Sequence, residues 1–307
     1  VSIEHPLAAS AEQADNRRMA GPFLKWAGGK AKLAPRILDL APVGFGRYHE
    51  PFLGGGAVFF AFEAAGRAPA PVLGDANSEL IRCYGAVRDD PEAVIAALRV
   101  LADAYLPASN EERAAIYYRE RAAAPESPAA AAARLIFLNR TCYNGLFRVN
   151  AQGQFNVPHG RYVRPRILDA DGLRAAARAL QGAELRCADF ADACAAANAG
   201  DFVYLDPPYH PLSPTARFTA YTRWEFGRDD QERLRDAFDA MTRRGVAAVL
   251  SNSAHDVIRK LYAEYSCEEV PMSRAINSRA SGRAPIPELL VHNLDRPAVQ
   301  EALRARA

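Results

Sequence analysis

Phe202-Val203-Tyr204-Leu205-Asp206-Pro207-Pro208-Tyr209 sets four apolar residues directly before an acid, two prolines and an aromatic. The apolar run has the length and composition of a buried strand. The prolines, which carry no N–H and hold the chain extended, stop it. Asp206 and Tyr209 are then expected at the strand's carboxyl end, where open α/β sheets bind their ligands. The chemistry there suits a planar amine: the Asp206 carboxylate and the Pro207 carbonyl can accept both hydrogens of an NH₂ group, while Tyr209 stacks on the attached ring. A flipped adenine presents such an amine. An Asp-Pro-Pro turn also serves as a plain strand terminator, so the remaining sequence has to decide between the two.

On either side of this run, strand-like and helix-like segments alternate. Residues 46–51 lead into Gly54-Gly55-Gly56 and an apolar helix over 57–65; residues 71–75 form a short strand ending in Asp75, with a helix from Ser78. A helical stretch spans 91–138, broken near Pro107 and Pro125, and strands return at 184–187, 201–205, 246–251 and 288–293. Alternation of this kind implies a doubly wound, Rossmann-like α/β fold whose mainly parallel sheet is covered on both faces. The expected organisation is a flexible tail over 1–20, a catalytic and cofactor-binding domain from 21–80 and 181–307, and a mostly helical insertion over 81–180.

Composition narrows the class. The 307 residues suffice for one substantial core with an insertion, and half of them are hydrophobic. Net charge is only +2, so a nucleic-acid partner has to be read from where the charges lie. Five cysteines without C-x-x-C spacing suggest reduced thiols in a cytoplasmic protein. Six scattered histidines offer neither metal-ligand spacing nor a Ser-His-Asp arrangement, so no metal is expected. No apolar run approaches membrane-spanning length, and the first twenty residues lack the apolar segment of a secretion signal.

Three further features carry chemistry. Phe52-Leu53-Gly54-Gly55-Gly56 follows the first strand and precedes a helix. Glycines there let a ligand approach the backbone, though the spacing is not G-x-G-x-x-G and a plain turn would look similar. Asp75, at the end of the second strand, adds an acceptor for ribose hydroxyls, and together they suggest a nucleoside-containing cofactor. Phe23-Leu24-Lys25-Trp26-Ala27-Gly28-Gly29-Lys30 combines an aromatic, two lysines and a glycine pair. A packed Trp26 alone leaves the glycines unexplained, whereas Trp26 and Lys30 against a cofactor carboxylate use them. Finally, residues 127–168 contain no acid but hold Arg134, Arg140, Arg148, Arg161, Arg164 and Arg166, interleaved with Tyr143, Phe147, Phe155, Tyr162 and with Asn144, Asn150, Gln152, Gln154 and Asn156. Charge runs are usually solvated faces, but this mixture is that of a nucleic-acid reader. A second acid-free segment, 273–287 with Arg274, Arg279 and Arg283, suits phosphate contact.

Taken together, Phe23 to Lys30, Tyr48-His49-Glu50-Pro51-Phe52-Leu53-Gly54-Gly55-Gly56, Asp75-Ala76-Asn77-Ser78 and Asp206 to Tyr209 resemble the Dam-type DNA adenine methyltransferases. Their order, cofactor loop before recognition block before tetrad, is similar to the α group of that class. Segments 139–148, 155–162 and Phe218-Thr219-Ala220-Tyr221 resemble its recognition parts. The resemblance implies an S-adenosylmethionine-dependent methyltransferase fold. It also implies methyl transfer from S-adenosyl-L-methionine to adenine N6 in double-stranded DNA, within GATC, by a monomer. Carried over by position, Trp26, Lys30, Phe52, Gly54, Gly56, Asp75 and Asp206 would line the cofactor. Asp206, Pro207, Pro208 and Tyr209 would form the catalytic tetrad. Lys25, Arg140, Tyr143, Asn144, Leu146, Arg148, Pro158, Arg161, Tyr162, Arg274 and Arg279 would contact DNA, with Arg148 on a guanine. Two departures lie beside these positions: His159 replaces an apolar or aromatic residue, and Ala151-Gln152 a more basic pair. Two alternatives stay open, a methyltransferase acting on RNA or on a protein amide, and a DNA-binding relative without catalysis. An Asp-first tetrad and the arginine block disfavour the former; intact Asp206 and Gly54 to Gly56 disfavour the latter.

Overall fold

The computed structural model describes residues 18–26, 28–150, 152–209, 226–272 and 286–306. Seven strands form one sheet: β1 (Tyr48–Glu50), β2 (Val72–Asp75), β3 (Glu184–Cys187), β4 (Phe202–Leu205), β5 (Ala247–Ser253), β6 (Ser266–Met272) and β7 (Ile286–His292), in the order β3-β2-β1-β4-β5-β7-β6. The first five are parallel; β7 runs antiparallel to β5, and β6 to β7. Six of these strands match the expected ones. β6 is additional: it carries Glu268, Glu269 and Pro271, a composition tolerable only because the strand has one neighbour and sits at the sheet's edge. The antiparallel β6–β7 pair is why the sheet is mainly rather than wholly parallel.

Period-two alternation in β4 shows how the sheet is buried on both faces. Phe202 and Tyr204 join one core with Tyr48, Phe59 and Phe62, while Val203 and Leu205 join a second with Phe238, Leu250 and Tyr262. Strand order reverses between β1, which continues to β2, and β4, which continues to β5. This switch point is where a crevice opens over the carboxyl ends of the strands.

The helices begin and end where local chemistry requires. α1 (Ala34–Leu40), not anticipated from the sequence, carries Pro35 in its first turn, and α2 (Ala57–Ala64) has Gly56 at its N-cap. α3 (Ser78–Asp89) is capped by the Asn77 side chain. The predicted helical stretch resolves into α4 (Pro91–Tyr105), α5 (Asn110–Ala122) and α6 (Pro128–Thr141), separated at the two prolines. Ser109 and Glu112 form a reciprocal capping box for α5, and Ser127 caps α6. α7 (Ala170–Ala179) returns the chain to β3; α8 (Phe190–Ala195), α9 (Arg228–Arg243), α10 (Asp256–Leu261) and α11 (Pro297–Arg304) accompany the later strands.

Candidate active site

A cleft of about 610 Å³ opens at the switch point. The ends of β1, β2 and β4 supply its floor, and the segment around Trp26 to Lys30 supplies one wall. Trp26, Lys30, Phe52, Gly54, Gly56, Asp75, Asp206, Pro207, Pro208 and Tyr209, ten residues from four separate segments, all line it.

The glycine loop is shaped by contact and by backbone twist. Gly54 and Gly56 have φ of 47° and 69°, a left-handed region costly to residues with a Cβ. A Cβ on Gly54 would also stand 2.7 Å from Trp26 Cδ1, and one on Gly56 2.9 Å from the Tyr84 hydroxyl oxygen. Trp26 thus packs on the loop backbone, and its ring stacks on Phe147 at 5.3 Å. Asp75 closes the loop: its Oδ2 accepts from Gly54 N at 3.0 Å and its Oδ1 from Asn77 N at 2.9 Å. Burial pushes the Asp75 carboxyl up to about 6, against the pull of those two bonds.

Each part of the tetrad is held. Asp206 Oδ1 receives the Lys30 ammonium at 3.1 Å and the Ser251 hydroxyl at 3.0 Å, and Ser251 is in turn 2.9 Å from the Tyr204 hydroxyl. Lys30, only 4% exposed, also donates to the Gly28 carbonyl at 2.6 Å and lies 4.5 Å over the Tyr209 ring. Lys30 therefore faces the tetrad as well as the cleft, a position that the sequence alone did not assign to it. Burial raises the Asp206 carboxyl, and Lys30 opposes that shift. The Pro208 carbonyl accepts from Gln231 Nε2 at 3.0 Å, and the Tyr209 hydroxyl donates to Glu288 at 2.8 Å.

Several lining groups escaped the sequence reading. Glu50, 2% exposed, accepts from the Tyr48 hydroxyl at 2.6 Å, and burial pushes its carboxyl up to about 8. Phe190 stacks on Phe52 at 5.4 Å, with Phe226 edge-on to Phe52 at 5.9 Å. The Arg233 guanidinium lies 4.9 Å over Phe190 and donates to Asp189 and Asp230, each at 2.9 Å. The available signal was Asp189-Phe190 placed just after strand 184–187, the position of a third acid at a strand end.

The DNA-reading candidates gather in the segment after α6. Val149 and Phe155 pair as an antiparallel bridge, and Arg148 bonds the Asn156 side chain at 2.7 Å and its carbonyl at 3.2 Å. Tyr143 is 54% exposed, and its N–H donates to the Pro158 carbonyl at 2.9 Å. Asn144 adopts φ 55°, Leu146 is half-buried, and Pro158 and Arg161 are exposed. Lys25 lies 4.4 Å over the Tyr162 ring, and its own backbone N–H and C=O are both bonded by the Asn139 side chain. Arg140 sits differently. It donates to the Phe23 carbonyl at 2.8 Å and lines a smaller depression with Arg18, Ile136 and Asp169, which shares no residue with the cleft. His159 is accounted for by packing: its Nε2 lies 2.6 Å from the Tyr105 hydroxyl, and its ring contacts Tyr105 and Tyr117. Arg274, Arg279 and Phe218 to Tyr221 lie outside the described residues. Among the described residues no cluster of side chains could hold a metal ion, and no helix is long and apolar enough to cross a membrane.

A mixed seven-stranded sheet with an Asp-Pro-Pro-Tyr tetrad and a glycine loop meeting in one cleft defines an α/β methyltransferase. Residues 26–276 match the sequence model of the D12 class N6 adenine-specific DNA methyltransferases, and the chain belongs to that family. It is 38% identical to the Type II methyltransferase M.MjaIII of Methanocaldococcus jannaschii over 89% of this chain and 98% of the relative. It is likewise 38% identical to the Type II methyltransferase M1.LlaDCHI of Lactococcus lactis, over 89% and 95%. To the DNA adenine methylase of Escherichia coli K12 it is 35% identical over 87% and 93%. The protein is a DNA adenine methyltransferase.

Proposed function

We propose that the enzyme transfers the methyl group of S-adenosyl-L-methionine to N6 of an adenine flipped out of duplex DNA, within GATC. One observation carries the reading: the tetrad and the glycine loop open onto the same cleft, so the acceptor amine and a nucleoside cofactor can meet there. The residues fit such a cofactor. Each Asp75 oxygen accepts one backbone bond and keeps a lone pair for a ribose hydroxyl. The left-handed glycines admit a close ligand, and Phe52 and Phe190 offer faces to a purine. When bound, S-adenosyl-L-methionine supplies an electrophilic sulfonium methyl.

The chain's own residues supply the rest. Adenine N6 is a weak nucleophile because its lone pair is delocalised into the ring, and in duplex DNA it is stacked away. Extruding the base costs a few kcal/mol, which stacking on Tyr209 and hydrogen bonds to Asp206 and the Pro207 carbonyl offset. Among the described residues, Lys30 and Ser251 both contact Asp206 Oδ1, so Oδ2 is the oxygen for the amine. As N6 attacks, positive charge grows on nitrogen beside a fixed carboxylate and a carbonyl dipole, which stabilise it without reorganisation. The methyl carbon–sulfur bond breaks as the N6–carbon bond forms, leaving a neutral thioether, and the extra N6 proton then passes to solvent.

Residues 81–180 would form the recognition domain, with Arg148 reading a guanine and Lys25, Tyr143, Asn144, Leu146, Pro158, Arg161 and Tyr162 around it. GATC rests on the resemblance of the motifs to the Dam-type enzymes; the relatives, DNA adenine methylase and Type II methyltransferases alike, are named without a site. The test is tritium transfer from labelled S-adenosyl-L-methionine to GATC duplexes, followed by nucleoside analysis. Label in N6-methyladenosine is expected; label in another nucleoside, or none, would overturn the reading.

A further inference from the structure

The tetrad's polar groups are anchored by different partners. Asp206 has Lys30 and Ser251, and the Pro208 carbonyl has Gln231. The Tyr209 hydroxyl donates at 2.8 Å to one carboxylate oxygen of Glu288. Glu288 comes from β7, where it pairs with Ser253 at the carboxyl end of β5 and with Val270 of β6. It does not line the cleft, so it stands behind the ring rather than beside the reacting atoms. A phenylalanine would stack on a base equally well. A phenol tied at its far end to a carboxylate on the sheet has, in addition, its ring plane fixed, because the hydrogen bond removes rotation about the side-chain torsions.

We propose that Glu288 is a positioning residue for adenine capture: through the Tyr209 hydroxyl it holds the ring in the plane on which the flipped base stacks. The proposal rests on the reading of Tyr209 as the stacking platform given above. Its consequence is coupling. Glu288 and the Tyr209 hydroxyl act as one unit, and removal of either end forfeits the same restraint.

The experiment uses the full-length enzyme, S-adenosyl-L-methionine for single-turnover methylation, and a GATC duplex carrying 2-aminopurine at the target adenine to report the unstacked base by fluorescence. E288A and Y209F, checked for unchanged thermal unfolding, are each expected to lower the single-turnover rate roughly tenfold, the order of one hydrogen bond to a charged group. Both should also diminish the 2-aminopurine signal, with cofactor affinity unchanged. The double variant E288A/Y209F should be no slower than either single one. E288Q, whose amide carbonyl still accepts the phenolic hydrogen, should recover most of the loss. Additive losses in the double variant, an unaffected E288A, or an E288Q as slow as E288A would overturn the proposal while leaving wild-type transfer intact. Absence of transfer to adenine by the wild type would instead overturn the function on which it rests.

Discussion

In the proposed mechanism Asp206 carries the chemistry, and its surroundings say how. Its Oδ1 is held by Lys30 and Ser251, which aim the carboxylate and keep part of its charge compensated. Asp206→Ala is expected to abolish that electrostatic support and slow methyl transfer by roughly 10²–10³, or about 2.7–4 kcal/mol. Single-turnover rates on the folded variant check this, and a near wild-type rate would remove the tetrad from the mechanism. Asp75 gives a pH signature. With its carboxyl raised to about 6, it would accept the proposed ribose hydroxyls fully only above that pH. Cofactor affinity measured by calorimetry should therefore fall below pH 6 by up to about tenfold per unit, and the decline should vanish in Asp75→Asn. At this scale the sequence exposed the tetrad, the glycines and Asp75, because their types are unusual at strand ends. It hid Glu50 and Glu288, whose roles depend on what lies behind them, and the contact between Lys30 and Asp206, which joins segments 176 positions apart in the chain.

Between residue and molecule, the informative element is the segment after α6. Arg148 and Asn156 flank its Val149–Phe155 bridge, and Phe147 stacks on Trp26, which in turn packs against Gly54. The proposed recognition segment and the glycine loop are thus in van der Waals continuity through two rings. Arg148→Ala should cost about 1–3 kcal/mol on the cognate site and relax specificity at one base pair, since a bidentate guanine contact is lost. Methylation rates on GATC and its single-base variants test this; an equal loss on every sequence would contradict the assignment. Charge composition pointed to this segment, yet composition cannot separate a reader from an anchor. Arg140 shows the difference, with its guanidinium bonded to the Phe23 carbonyl. β6 was illegible for a related reason: an edge strand carries charges and a proline that pattern rules assign to loops.

For the whole molecule, alternating strands and helices sufficed to give the doubly wound sheet, because strands buried on both faces are largely apolar, as β4 and the first four residues of β5 are. The buried site carries a stability signature. Glu50 titrates near its ordinary value of 4.5 when unfolded and at about 8 when folded, so between those values the native state binds more protons than the unfolded one. Its stabilising contribution is complete below about 4.5 and is lost as pH rises through about 8. Thermal unfolding should accordingly show wild-type stability falling across this window relative to Glu50→Gln. Parallel Tm curves for the two proteins would refute the buried, protonated Glu50. The account as a whole turns on which atom is methylated, and where. Single-molecule sequencing of unmethylated plasmid DNA treated with the purified enzyme and S-adenosyl-L-methionine reports base and site together. N6-methyladenine confined to GATC is the predicted result; modified cytosine, or methylated adenine without regard to sequence, would contradict it.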